Sequence, residues 1–177
     1  MSDGWADILD PNETIQWQGR PSGRFRIERH QIPLLLFGCA FAGFALVWMG
    51  LAAAAGGFFW TFGLIHFSVG VGLGIFPIFK DRFVRQRTWY TLSNKRAYIA
   101  TDLPVVGKSL KTYPIESRTP TEFRPGATPS VFFSSKTVRR NKRRVEVPVG
   151  FEMIADGKEV HRLIQQIQTG TIPDAKS

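Results

Sequence analysis

The chain has 177 residues, 23 Lys and Arg against 14 Asp and Glu, a formal net charge of +9 and a single cysteine. That length holds one domain of ordinary size, or a smaller domain with a membrane segment. One cysteine excludes an intramolecular disulfide and a thiolate metal cluster, while the positive excess favours anionic partners.

In chain order, ILDPNETIQWQGRP comes first. A turn at Asp10, Pro11 and Asn12 leads into a short strand, with Ile15 and Trp17 facing one way and Gln16 and Gln18 the other. Five residues do not fold alone, so this strand needs a sheet built by later chain.

From Gln31 to Phe79 there is no Asp, Glu, Lys or Arg, and Cys39 and His66 are the only ionisable groups. A helix crosses roughly 30 Å of hydrocarbon with about 20 apolar residues, so this stretch suits two spans and a tight turn. The spacing predicts spans from Pro33 to Ala54 and from Phe58 to Phe79, reversed at Gly56 and Gly57. Pro33 falls where a first-turn proline is tolerated, and Pro77 is expected to bend only the last turn of its span. A signal peptide would stand at the extreme N-terminus, whereas mostly polar residues precede this stretch; the hairpin is expected to be mature structure.

Arg20, Arg24, Arg26 and Arg29 precede the first span, Lys80, Arg82, Arg85 and Arg87 follow the second, and the turn carries no charge. The positive-inside rule then puts both termini in the cytoplasm. Trp48, Phe58, Phe59 and Trp60 are expected at the outer interface and Trp89 and Tyr90 at the inner one. Cys39 reads as a small apolar packing residue.

Beyond the hairpin the punctuation is that of an antiparallel β domain. RTWYTLSNKRAYIAT gives two β-rich runs around Ser93, Asn94 and Lys95, where asparagine takes the turn conformation. Leu103 to Lys108 makes a second turn through Pro104 and Gly107, and the run Ser109 to Ile115 follows. Further short runs are Thr121 to Arg124, Ser130 to Ser135 and Val145 to Val149, the last with alternating valines. The period then changes: Asp156 and Glu159 form a capping box, Val160, Leu163, Ile164 and Ile167 share one helical face, and Gly170 and Pro173 mark the stop.

The predicted organisation is an N-terminal cytoplasmic segment with the first strand (1–31), a transmembrane hairpin (32–79), a cytoplasmic domain (88–170) and a tail (171–177). The fold class is a membrane α-helical hairpin plus an α+β or all-β domain, an antiparallel barrel or sandwich of about seven strands with one C-terminal helix. A pleckstrin-homology (PH) type barrel shares that inventory. Trp17, Trp89, Tyr90, Tyr98, Phe151 and Leu163 are its expected core.

ILDPNETIQWQGRP, the two spans, TWYTLSNKRAYIAT and VPVGFEMIADGKEVHRLIQQI together resemble the bacterial PH-like membrane proteins, in which a strand with a glutamate and a tryptophan precedes a hairpin and a helix closes the chain. The resemblance implies a fold and a place, a bacterial inner membrane, more than a mechanism. Many eukaryotic PH domains bind phosphoinositides through a basic loop between their first two strands. Here the hairpin replaces that loop, so phosphoinositide binding does not carry over residue by residue.

The main basic cluster, KTVRRNKRR, holds Lys136, Arg139, Arg140, Lys142, Arg143 and Arg144. Each basic group near an anionic leaflet gains about 1 kcal/mol, so six would press the domain onto lipid; a solvated hairpin loop or an acidic partner protein accounts for the same residues. Nucleic acid is the weaker ligand, because no aromatic residues interleave with the charges. His66 is expected to face the neighbouring helix, hydrogen-bonded to backbone, Thr61 or Ser68, with no carboxylate to make a relay. Gly70 and Gly74 form a small-residue pair, with Gly72 on another face, that packs the hairpin against itself or a second copy. The scattered His30, His66 and His161, and the lack of a phosphate loop, paired-cysteine motif or serine elbow, argue against an enzyme; no cofactor or metal is implied. The function expected is membrane-anchored binding or scaffolding. Its rival is an accessory subunit or regulator of a membrane transport or stress-response complex, recognised through the hairpin.

Overall fold

A computed structural model describes Trp5 and residues 7–104, 106–140 and 143–171 of the chain. Two units emerge: residues 23–84 form one, and residues 1–22 join 85–177 in the other. The first strand thus belongs with chain that follows the apolar stretch.

In the unit 23–84, a single 3-10 turn at Arg29–Gln31 leads into α1 (Ile32–Ala54), and another at Phe59–Phe62 leads into α2 (Gly63–Gln86). Their 23 and 24 residues match the roughly 20 needed to cross a bilayer. Both are long and apolar enough to span a membrane, and only 17% of either apolar window is buried inside the protein. Between them Gly56 and Gly57 take φ of +87° and +81°, which side chains with a Cβ rarely adopt. α2 extends beyond Phe79, the expected end of the second span. It runs on to Gln86 and carries Lys80, Arg82 and Arg85 within its last turns, because a proline forfeits one backbone bond without stopping the residues beyond it.

α1 and α2 touch where side chains are smallest. A Cβ added at Gly38 would meet the Gly70 carbonyl at 2.6 Å and the Gly74 nitrogen at 2.7 Å, and one at Gly70 would meet the Ala42 nitrogen at 2.7 Å. Gly74 leaves ordinary contact distance to Leu35, and Gly72 has open space. Below this contact Gln31 is buried and donates to Asp81 at 2.5 Å.

The other unit contains two antiparallel sheets. One has the order β1 (Ile15–Gly19), β2 (Thr88–Ser93), β3 (Arg96–Leu103), β4 (Gly107–Pro114); the second has β5 (Glu122–Arg124), β6 (Ser130–Arg140), β7 (Arg143–Phe151). α3 (Gly157–Thr169) follows. The sheets share one core of Tyr90, Leu92, Ala97, Val131, Phe133 and Phe151, onto which α3 lays Val160 and Ile164. Phe151 is central, with ring centroids of Tyr90, Phe133 and Trp17 at 4.8, 5.0 and 5.4 Å.

Strand alternation corrects part of the expected core. Register pairs Trp89 with Ala100 and Thr91 with Tyr98, so Trp89 and Tyr98 stand on the face opposite Tyr90 and Leu92. Tyr98 is buried there beneath Trp5, at 5.4 Å edge to face, and half-buried Trp89 carries the Arg20 guanidinium 4.7 Å above its ring. Tyr90 is a core residue and takes no part in an interfacial belt. The Asp156 capping box does not form: that carboxylate instead accepts the Trp17 indole N–H at 3.4 Å. Asn94 keeps a negative φ, and Asn12 is the residue with positive φ in this region, at 65°. Pro173 lies outside the described residues.

Candidate functional site

The basic cluster is largely strand. The sequence assigns strands to Ser130 to Ser135 and Val145 to Val149 with a loop between, whereas β6 reaches Arg140 and β7 begins at Arg143. Lys136, Arg139 and Arg140 therefore stand in β6 and Arg143 and Arg144 in β7; Lys142 lies outside the described residues. The short valine and serine runs hide this because the positions between them are polar on both faces, which blurs the period-two signal.

Register sets which groups share a face. Lys136 pairs with Val147 and Val138 with Val145 on one face; Thr137 pairs with Glu146 and Arg139 with Arg144 on the other; the backbones of Arg140 and Arg143 pair beyond them. β5 pairs with Ser130, Val131 and Phe132, so beyond Ser134 the ribbon has two strands and no third among the described residues. All its described side chains from Ser135 to Arg139 and from Arg144 to Val147 are exposed. Paired Arg139 and Arg144 face each other as like charges, which destabilises a bare ribbon and favours an anionic neighbour.

The eight flanking basic residues do not behave alike. Arg26, Arg29 and Lys80 are exposed, Arg82 stacks 4.1 Å over the Phe25 ring, and Arg20 lies over Trp89. Arg85 is buried, with Nε and Nη2 lacking hydrogen-bond partners. Arg24 and Arg87 are half-exposed or exposed and engaged.

In the hairpin, His66 is exposed, its Nδ1 3.3 Å from the Phe62 carbonyl, and it lines a 280 Å³ hollow with Phe44, Trp48 and Phe62. Thr61 bonds the Phe58 carbonyl at 2.7 Å, so it does not serve His66. Cys39 is exposed on the surface of α1. Among the described residues no group of three or more His, Cys, Asp or Glu side chains stands together to hold a metal ion.

Sequence reasoning missed a buried constellation around Glu13. Its carboxylate accepts from the Ser93 hydroxyl at 2.5 Å, the Tyr98 hydroxyl at 2.8 Å and the Asp10 amide at 3.0 Å. Around it Thr14 and Asn94 exchange two bonds of 3.0 Å, Asn94 donates to the Asn12 carbonyl at 3.1 Å, Lys95 reaches the Pro11 carbonyl at 3.2 Å, and Arg96 pairs with Asp10. Burial works to raise the Glu13 pKa, but the bonds from Ser93, Asp10 and Tyr98 and the nearby Arg96 prevail and hold it below its ordinary value. Burial and the adjacent carboxylate push Tyr98 up to about 12. DPNET thus clasps the SNKR turn of β2 and β3. The signal available in advance was an acidic, turn-forming DPNET segment directly before a strand whose Ile15 and Trp17 face one way.

No protein-family model, curated protein or solved structure matches the chain.

Proposed function

We propose that this chain is a membrane-anchored binding or scaffolding module of PH-like fold at the cytoplasmic face of a bacterial inner membrane. Its basic β6–β7 ribbon faces anionic lipid or an acidic partner, and it works by binding, without catalysis. One observation carries the reading: β1 pairs with β2 although two apolar, membrane-length helices separate them in the chain. Strands of one sheet share one side of a bilayer, so the pairing supports a hairpin with both flanks on that side. The basic flanks and uncharged turn favour the cytoplasm for that side. Among the described residues, seven strands in two sheets with a closing helix support the PH-like assignment.

A second reading, an accessory or regulatory subunit of a transport or stress-response complex, draws on the hairpin surface. Gly43, Gly50 and Gly72 meet nothing within 4 Å, and Gly72 lies in a 340 Å³ apolar groove with Leu34, Val69 and Phe76. Such small-residue faces are where membrane helices approach partners closely.

The test begins with topology. Reporter fusions at both termini and at Gly57 are expected to put the termini on the cytoplasmic side and the turn outside; termini on opposite sides defeat both readings. Changing Lys136, Arg139, Arg140, Lys142, Arg143 and Arg144 to Gln is then expected to abolish association with anionic lipid or partner. Full retention, with loss instead on enlarging Gly43, Gly50 and Gly72, selects the second reading.

A further inference from the structure

The β6–β7 ribbon carries more than charge. Val149, Val147 and Val145 lie on the side of β7 that also bears Phe151, the residue at the centre of the core. Their exposure climbs outward along the strand, from 7% at Val149 to 37% at Val147 and 44% at Val145, and Val138, paired with Val145, is 40% exposed. An irregularity between Phe132 and Ser134 shifts the register of β6, which brings Lys136 and Val138 onto this same side. The apolar side of the sheet therefore outruns the core that covers its base.

Two strands without a third are marginal in water, and this pair leaves three valines uncovered. Between Lys136 and Val147 the sequence has six basic residues and one acid, Glu146. A second copy on this face would bring like charges together, whereas apolar side chains amid cations match the boundary between acyl chains and anionic headgroups.

We propose that Val138, Val145 and Val147 insert at the headgroup level of an anionic bilayer, with Lys136 beside them and Arg139 and Arg144 on the ribbon's other face drawing it there through their field. This rests on the membrane-anchored reading above. It deepens that reading by naming the occupant as lipid and the inserted face as the valine side.

The test uses the full-length chain with Cys39→Ala, labelled with an environment-sensitive fluorophore at Val145→Cys or Val138→Cys. Thr137→Cys, on the opposite face, and Val47→Cys, in the hairpin, are labelled as controls. Each protein is reconstituted into nanodiscs of phosphatidylcholine alone or mixed with phosphatidylglycerol, with brominated acyl chains as quencher. Expected are a blue shift and severalfold stronger quenching at 145 and 138 with phosphatidylglycerol, little at 137, and loss of the difference with Lys136→Gln, Arg139→Gln and Arg144→Gln combined. Labels at 145 and 138 that stay wet in both lipids overturn the proposal. So does equal shielding in both, or disulfide formation between copies through Val145→Cys regardless of lipid. The Val47 label separates the two levels: quenched at 47 but not at 145, insertion alone fails; unquenched at 47, the membrane reading fails with it.

Discussion

Glu13→Ala is the most informative single change in the β unit, since it removes the acceptor shared by Ser93, Tyr98 and the Asp10 amide. The losses are unequal. Ser93 retains the Arg96 carbonyl at 3.1 Å as an alternative acceptor, but the buried Tyr98 hydroxyl loses a charged one. Stripping a buried donor of a charged acceptor costs about 1–3 kcal/mol, and with the Asp10 amide bond added the total is about 2–4 kcal/mol. For a unit of this size that lowers the melting temperature by roughly 10 °C. Glu13→Gln keeps one acceptor oxygen but sets an amide N–H₂ against either the Asp10 amide or the two hydroxyls, so it costs less, about 1–2 kcal/mol. The pH dependence has a definite sign. The folded-state pKa of Glu13 lies below the ordinary 4.5, so its contribution is complete above that value and disappears as pH falls through the folded pKa. The gap between wild type and Glu13→Gln therefore closes in acid. Thermal unfolding of the full-length protein in detergent, followed by near-ultraviolet circular dichroism at several pH values, reads both effects. A Glu13→Ala loss below about 0.5 kcal/mol, or a gap that stays constant into acid, refutes the assigned role of this carboxylate.

Three further outcomes follow from geometry. Phe151→Ala empties the centre of the core and is expected to cost about 3–5 kcal/mol, enough to abolish cooperative unfolding of the β unit while the helical signal of the hairpin persists. Gly38→Ile drives a branched side chain into the Gly70 and Gly74 backbone, and cysteine cross-linking between α1 and α2 should fall sharply, whereas Gly43→Ile, which meets nothing, should leave it unchanged. Asn94→Ala removes the two side-chain bonds to DPNET, leaving only the backbone bond to the Thr14 carbonyl, and is expected to speed hydrogen exchange at the residue 94 amide and along β1 by about tenfold or more, which quenched-exchange mass spectrometry measures.

What the sequence disclosed depended on how strong each local signal was. The apolar stretch is unambiguous because nothing but burial in lipid or protein tolerates it, and the α3 face was legible because four apolar residues repeat at helical spacing. The boundaries at Gln86, Arg140 and Arg143 were not legible: charged residues prolong a helix or a ribbon without marking it. Tyr98 is buried as expected, but with Trp89 it stands on the face opposite Tyr90, because a strand has two faces and only register decides which residue lands on which. The Glu13 clasp was hidden for a different reason. Its partners are some 80 residues away in sequence, and polar pairs at that separation leave no periodic trace.

That separation also bears on how the β unit assembles. β1 and β2 are paired neighbours, with roughly 70 residues between Gly19 and Tyr90, and closing so long a disordered loop is costly. The hairpin relieves part of this when it folds first. Once Gln31 meets Asp81, only about 20 residues remain free between the paired strands, which lowers the closure cost by about 1 kcal/mol on the (3/2)RT ln n law. A chain in which 21–87 is replaced by Asn-Gly would lower it by about 2 kcal/mol and, lacking the apolar helices, is expected to be water-soluble with the β unit intact. Its unfolding in urea should remain cooperative and sensitive to Glu13→Ala. If the shortened chain is instead unstructured while the full-length protein keeps its clasp, the hairpin contributes contacts beyond loop closure, and stability of the β unit is then inseparable from the helices.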